Sequence, residues 1–334
     1  MVELMSQTPI RIHFTYCHTD KPWGGANNFI RALNMELFNS KKYELIGSIN
    51  DDCDIIFMNQ LGAGPCGDGK DLSLQLIKEL KEKSNFKKKI VVRAVNLNWH
   101  AHNHGLRNLI WGRWSDRQTV ALLNIADIVI FQSAYQRDFF INAGYKNNNS
   151  NLVIHNGADK SFWCENPICP ELTGGPLKLI SSTASPRKTK RHDLIAKLSI
   201  LDGVEIRHLG AWPKDVDSGK VELLGTLSRS EMVEEMKTCH YFLHTAIKDP
   251  CPNAIFESIC MGLPVIYNPD IGSSSEIVAE NGLPLNENNL DITLKQACVK
   301  LEELRETVLK NRSNYIICHS TNRYKEVFEG REKE

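Results

Sequence analysis

The chain has 334 residues, 42% apolar and 24% charged, the make-up of a globular protein long enough for two cores. Lys plus Arg and Asp plus Glu each number 40, so no net field draws it to nucleic acid or to a membrane surface. No apolar run is long enough to span a bilayer, and Met1 to Ser6 show no basic-then-apolar leader, so a cytoplasmic protein is expected, at most peripheral at a membrane. The ten cysteines, from Cys17 to Cys318, form no Cys-x-x-Cys and no zinc spacing, and are expected as reduced, mostly buried thiols.

In chain order, Pro9 to Phe14 reads as a first strand. The polar loop Thr15 to Pro22 leads to Trp23-Gly24-Gly25 and a helix carrying Phe29, Ile30, Leu33, Met35 and Leu37. A Gly pair between strand and helix lets backbone amides approach a phosphate, although one such pair is a weak signal. Tyr43 to Ile49 and Asp54 to Met58 have strand character. Asp51-Asp52-Cys53-Asp54 contains Asp-x-Asp, a hint of a metal-dependent transferase of another fold. It precedes a strand with no partner carboxylates, and a surface turn accounts for it better. Asp71 to Ser84 is amphipathic, with Leu72, Leu76 and Leu80 inward. Lys87-Lys88-Lys89 could touch anionic lipid, but the preceding helix alternates both signs, which favours a solvated helix end.

The strand Lys89 to Val95 runs into Asn96 to Gly105, the densest polar and aromatic cluster, with His100, His102 and His104. A metal would need three or four converging ligands with supporting hydrogen bonds, so a hydrogen-bonding loop is favoured. Arg107 to Ile125 is helical. Its Trp111 and Trp114 are assigned to the core ahead of a sugar-stacking platform. Ala126 to Ser133 is a strand and turn, Tyr135 to Ala143 a helix closed by Gly144, and Leu152 to Gly157 a strand and turn.

Residues 166–176, within the Pro- and Gly-rich stretch Glu165 to Pro176, read as a linker. The expected domains are 1–165 and 177–312, with a C-terminal helix over 313–334. Arg187, Lys188, Lys190 and Arg191 lie between a strand and a helix start, which suits a diphosphate. They lack the interleaved aromatics of a nucleic-acid patch. The strands Val204 to His208 and Val221 to Leu224 end at Gly210 and Gly225, whose turns can face a nucleotide. Ser228 and Glu231 have capping-box spacing. After the apolar run Tyr241 to Leu243 and a polar loop, Asn253 is expected to cap a helix running through Met261 and closed by Gly262. The amides of Asn253, Ala254 and Ile255 are then offered to an anion. Asp249 and Glu257, eight positions apart, bracket this strand-to-helix loop, where open α/β sheets bind ligands. Each carboxylate can accept hydrogen bonds from two vicinal hydroxyls. The bland alternative is a loop cap and a complement to a helix N-terminus. Ile292 to Leu309 is a long helix pattern, and the end of the chain is polar and helix-prone.

An acid, seven residues, Glu257, a small-residue helix, Gly262-Leu-Pro-Val-Ile266 and a Gly-rich loop ending in Glu276 resemble the retaining, nucleotide-sugar-dependent glycosyltransferases of family 4. Asp249 stands where that family usually has Glu. Pro22-Trp-Gly-Gly-Ala-Asn-Asn-Phe29, Ala126-Asp-Ile-Val-Ile-Phe-Gln-Ser133 and Ile154-His-Asn-Gly-Ala-Asp159 are similar to family motifs too. The resemblance implies an α/β GT-B fold, two Rossmann-like doubly wound domains facing a cleft. The acceptor would lie on the N-terminal domain and the donor on the C-terminal one, with 313–334 crossing back. It also implies sugar transfer from a UDP- or GDP-linked donor to a hydroxyl of a glycan, lipid-linked or small-molecule acceptor. No metal and no cofactor beyond the nucleotide sugar is implied.

The same resemblance implies residue roles. Lys190 aligns with a Lys that grips the leaving diphosphate. Its partner Arg falls on Ser185, so Arg187 is the substitute. Gly24 and Gly25 form the first donor loop. Asp249 faces the donor sugar, Glu257 the ribose, and Gly210 the nucleotide. An active-site residue after the Lys89 to Val95 strand, often His in the family, falls on His100 or His102. Two alternatives keep the fold. A nucleotide-sugar 2-epimerase or phosphorylase would need its own acids or a cofactor lysine. A non-catalytic relative would bind a nucleotide sugar or a partner.

Overall fold

The computed structural model describes residues 8–19, 25–49, 52–59, 72–84, 87–95, 106–165, 167 and 170–331, with only the backbone at 106–111. The chain divides into two compact units, Met1–His155 with Ser320–Glu334, and Asn156–His319.

The first unit is built on a parallel sheet of order β2-β1-β3-β4-β5-β6. The strands are β1 (Ile10–Phe14), β2 (Tyr43–Ile46), β3 (Ile55–Met58), β4 (Lys89–Arg93), β5 (Ile128–Phe131) and β6 (Ser150–Val153). β3 and β5 are buried at every position, which is why they read as unbroken apolar runs rather than alternating ones. Helix α1 (Gly25–Phe38) buries Phe29, Ile30, Leu33 and Leu37. Met35, on the same helix, is 59% exposed, because it lies off that stripe at helical period. Helix α2 spans Leu74–Lys83, and Ser73 Oγ accepts the Leu76 N–H at 3.1 Å. That cap sets the helix start later than Asp71. In α3 (Leu106–Ile125), Trp114 is 56% exposed and is not a core residue. Ser133 caps α4 (Ala134–Asn142).

The second unit has a parallel sheet of order β12-β11-β10-β7-β8-β9. Its strands are β7 (Leu177–Thr183), β8 (Val204–Gly210), β9 (Glu222–Gly225), β10 (Tyr241–His244), β11 (Val265–Tyr267) and β12 (Gly282–Pro284). The helices are α5 (His192–Ser199), α6 (Arg229–Lys237), α7 (Asn253–Cys260), α8 (Ser274–Val278) and α9 (Leu290–Asn311). Ser228 and Glu231 form the expected capping box at α6. At α7 the cap differs. Pro252 takes the N-cap position without a side-chain bond, and Asn253 is the first helical residue. Asn253 Oδ1 instead accepts from Asn156 Nδ2 at 2.9 Å. The helix stops because Gly262 adopts φ +88° with Pro167 pressed against it, a conformation costly for any other residue.

The described residues around Glu165 and Pro170 are anchored. Phe162 enters the second unit's core. The buried Arg312 donates to the carbonyls of Cys164 and Glu165 and lies 4.1 Å from the Trp163 ring centroid, and Arg305 donates to Pro170 O. The division therefore falls at His155, earlier than 166–176, because these carbonyls are bound to guanidinium groups of the second unit. Helix α10 (Ile317–Phe328) passes into the first unit at Ser320, later than 313. There Tyr324, fully buried, packs 4.9 Å from Phe29 and 5.9 Å from Phe57, ring to ring.

Among the described residues, four cysteines are buried (Cys53, Cys239, Cys251, Cys260), three are partly exposed and Cys298 is exposed, all as free thiols. Burial of the thiols is thus less general than expected. No helix among the described residues is long and apolar enough to cross a membrane.

Candidate functional site

The second unit gathers several of the singled-out residues at the carboxyl ends of its strands. Lys190 closes a short 3-10 turn, Lys188–Lys190, that follows β7. Thr245 Oγ1 donates to Lys190 O at 2.8 Å and Ile247 N–H to Thr189 O at 2.9 Å, tying this turn to the loop after β10. The Lys190 ammonium meets Asp249 Oδ2 at 2.7 Å, with side chains 26% and 16% exposed. Burial works against ionisation of Asp249. The charge of Lys190, with hydrogen bonds from Lys190 and the Cys251 amide, outweighs it and holds the carboxyl below the usual range. Ser273 donates to Asp249 O through both N–H and Oγ at 3.0 Å, so the backbone at Asp249 is fixed from behind.

His244, the last residue of β10, is 6% exposed, and its Nε2 has no hydrogen-bond partner. Burial pushes its imidazole down to about 4, with Asp249 pulling up and Lys190 pushing further down. It therefore presents a neutral ring beside an ion pair. Periodicity placed the strand end one residue early, at Leu243, and left His244 unremarked; a polar residue closing an apolar strand was the available signal.

Helix α7 leaves the same loop. The Ile255 N–H is already given to Pro252 O at 3.1 Å. Of the three amides expected to face an anion, those of Asn253 and Ala254 remain open, as the start of a helix requires. Glu257, one turn on, is half-buried. Burial pushes its carboxyl up to about 7, the charge of Arg229 opposing and that of Asp159 adding to the rise. Arg229 and Asp159 are themselves paired at 3.3 Å. Both were missed as neighbours of Glu257: Arg229 sits in the first turn of α6, behind an obvious capping box, and Asp159 in a turn that caps Ser161 N–H.

The remaining expected residues separate. Arg187 is exposed and makes no ion pair among the described residues. Arg191 is bound to Asp193 and Glu287, so it ties the start of α5 to the loop after β12 and does not face outward as a free cation. Gly210 has φ +98°, and a Cβ there would lie 2.1 Å from Thr183 O. Its lack of a side chain permits the close approach of β7 and β8. Just beyond it, the rings of His192, His208 and Trp212 meet at 5.0 to 5.2 Å. Ser181 Oγ lies 2.7 Å from His208 Nδ1. Gly25 opens α1 of the first unit. Gly24, His100 and His102 lie outside the described residues. No cluster of three or more His, Cys, Asp or Glu fit for a metal occurs among the described residues.

Two six-stranded parallel sheets, each with its own helices, match known structures over almost the whole chain. Alr3699/HepE of Anabaena, solved in complex with UDP and glucose, aligns with TM-score 0.65 at 14% identity, over 96% of this chain and 100% of that one. The chain has the GT-B fold. Sucrose-phosphate synthase of Thermosynechococcus elongatus matches this GT-B chain with TM-score 0.65 at 11% identity, covering 96% and 98%. The lipopolysaccharide outer core galactosyltransferase WaaB matches with TM-score 0.66 at 10% identity, covering 96% and 100%. No family model matches the sequence, and no curated protein is similar enough to count as a match. In the GT-B chain, the Lys190–Asp249 pair and Glu257 all belong to the second unit.

Proposed function

We propose that the chain is a retaining glycosyltransferase that moves a sugar from a UDP- or GDP-linked donor to an acceptor hydroxyl, with no metal required. The observation that carries this is the Lys190–Asp249 ion pair beside the open start of α7, with Glu257 one turn along the same helix. The fold adds support, since HepE, of the same architecture, was solved with UDP and with UDP-glucose.

The bond from the sugar's anomeric carbon to the diphosphate breaks, and its electron pair leaves with the phosphate oxygen. Lys190 and the amides of Asn253 and Ala254 neutralise that growing charge, the electrostatic contribution that usually dominates. The acceptor oxygen bonds to the anomeric carbon on the face the diphosphate left, and its proton passes to the departing phosphate oxygen. Asp249 and Glu257 hold donor hydroxyls and contribute orientation rather than proton transfer. The acceptor is a glycan, a lipid-linked sugar or a small molecule.

Calorimetric titration with UDP-glucose and GDP-mannose, followed by slow hydrolysis without acceptor, tests this. Lys190→Ala and Glu257→Ala should each lower turnover by about 10² or more. Unchanged turnover in both overturns the proposal. Tight donor binding with no turnover for any sugar would favour a non-catalytic GT-B relative.

A further inference from the structure

Each partner of the Lys190–Asp249 pair has a strained neighbour. Arg191, directly after Lys190, has φ +56°, and Lys248, directly before Asp249, has φ +58°. Among the described residues only two other non-glycines, Asn147 and Ala279, have positive φ. A residue with a Cβ keeps this left-handed conformation only where its surroundings hold it there, and such residues gather at functional sites.

At Arg191 the course of the chain demands it. This residue ends the 3-10 turn Lys188–Lys190 and begins α5. Its N–H goes to Lys188 O at 3.0 Å, and its own carbonyl accepts the Leu194 N–H at 3.0 Å. One residue therefore reverses the backbone between turn and helix. Glycine would make that bend without strain, so the bend by itself gives no reason for an arginine.

The side chain supplies the reason. Nε and Nη2 donate to the two oxygens of Asp193 at 3.1 and 3.2 Å. Nη1 donates to Glu287 Oε2 at 3.2 Å, and Nη2 also donates to Glu287 Oε1. Both carboxylates are held in the forked geometry that a guanidinium favours. The hydrogen bond from Arg191 is the main reason that the Glu287 carboxyl stays below its ordinary range. Glu287 follows β12, the edge strand, three places along the sheet from β7. The turn that carries Lys190 is thus fixed twice. Thr245 and Ile247 hold it from the loop after β10, and Glu287 holds it through Arg191 from the loop after β12.

We propose that Arg191 is a positioning residue: clamped between Asp193 and Glu287, it holds the left-handed bend that sets Lys190 against Asp249. Its value to catalysis rests on the transferase reading above, whereas its effect on Lys190 is read without turnover.

The experiment compares Arg191→Gly and Glu287→Ala with wild type. Glycine keeps the bend free of strain, and Glu287→Ala leaves Arg191 in place, so both chains should melt near the wild-type temperature. The Asp249 carboxyl is titrated by ¹³C NMR on aspartate-labelled protein, with Asp249→Asn locating its signal. Its midpoint should rise toward the ordinary value in both variants, as the ammonium is no longer held beside it. Hydrolysis of UDP-glucose should fall about tenfold in kcat, with a smaller change in KM. An Asp249 midpoint that stays low in both variants overturns the proposal. So does a loss of turnover that follows melting temperature from variant to variant, the outcome of a merely structural role. If the wild-type chain turns over no nucleotide sugar, the transferase reading fails, and the Asp249 titration still decides what Arg191 does.

Discussion

The ammonium of Lys190 and the carboxylate of Asp249, 59 positions apart in sequence, sit 2.7 Å from one another. The two residues expected to handle different ends of a donor are therefore partners before any donor arrives. A diphosphate must compete with Asp249 for Lys190.

Removing one partner should expose that dependence. Lys190→Met leaves a largely buried carboxylate without its cation and should cost ~1–3 kcal/mol by denaturant unfolding. Lys190→Met with Asp249→Asn should recover part of the loss, since no unpaired charge remains. Asp249 has a depressed folded-state pKa. Its contribution is complete above the unfolded value, about 4, and is lost as pH falls through the folded value. The single Asp249→Asn variant should therefore lose its stability difference from wild type in acid.

Glu257 titrates the other way. Its carboxyl is pushed up to about 7, while the unfolded chain ionises near 4.3. The neutral form is favoured in the fold, so stability is highest below the unfolded value and falls as pH rises through 7. Glu257→Gln should be more stable than wild type at pH 8 and closer to it at pH 4, as read by thermal melts. If the ionised carboxylate grips donor hydroxyls, UDP-glucose affinity should rise between pH 6 and pH 8 in wild type and stay flat in Glu257→Gln. A sugar-linked diphosphate loses no proton over that range.

Arg229 tunes that step. It is the cation that opposes the rise at Glu257, while Asp159 adds to it. Arg229→Met removes the cation and leaves the anion, so the pH midpoint of donor affinity should move upward. A midpoint that stays in place or moves down would mean that Arg229 does not act on Glu257.

Acid should destabilise the second unit through its buried histidines. His208 and His244 are both pushed down to about 4, burial being the main cause. An unfolded imidazole takes its proton near 6.5. Stability is therefore full above about 6.5 and is lost progressively as pH drops toward 4, because the unfolded chain gains protons that the folded one refuses. His244→Phe should flatten part of this slope in melts recorded from pH 7 to pH 4.5.

Gly210 tests a purely structural requirement. A Cβ would lie 2.1 Å from Thr183 O, at φ +98°. Gly210→Ala should cost at least ~2 kcal/mol through displacement of the β7 and β8 ends. Unchanged stability would mean that this approach is looser than the structure has it.

The alternation of strands and helices, the capping box at Ser228 and Glu231 and the helix stop at Gly262 were legible in the sequence. Each depends on residues a few positions apart, where local sterics and hydrogen bonding decide the outcome. The apolar runs of β3 and β5 also announced strands. Candidate acids and cations could be named from their position at strand ends, but not their partners. Parallel crossovers bring together residues dozens of positions apart, and only the tertiary structure decides which ones meet. It paired Lys190 with Asp249, set Arg229 and Asp159 beside Glu257, buried His244 and turned Met35 and Trp114 outward. It also fastened Glu165 and Pro170 to the second unit through Arg312 and Arg305, because a buried guanidinium takes whatever carbonyls the fold brings within reach.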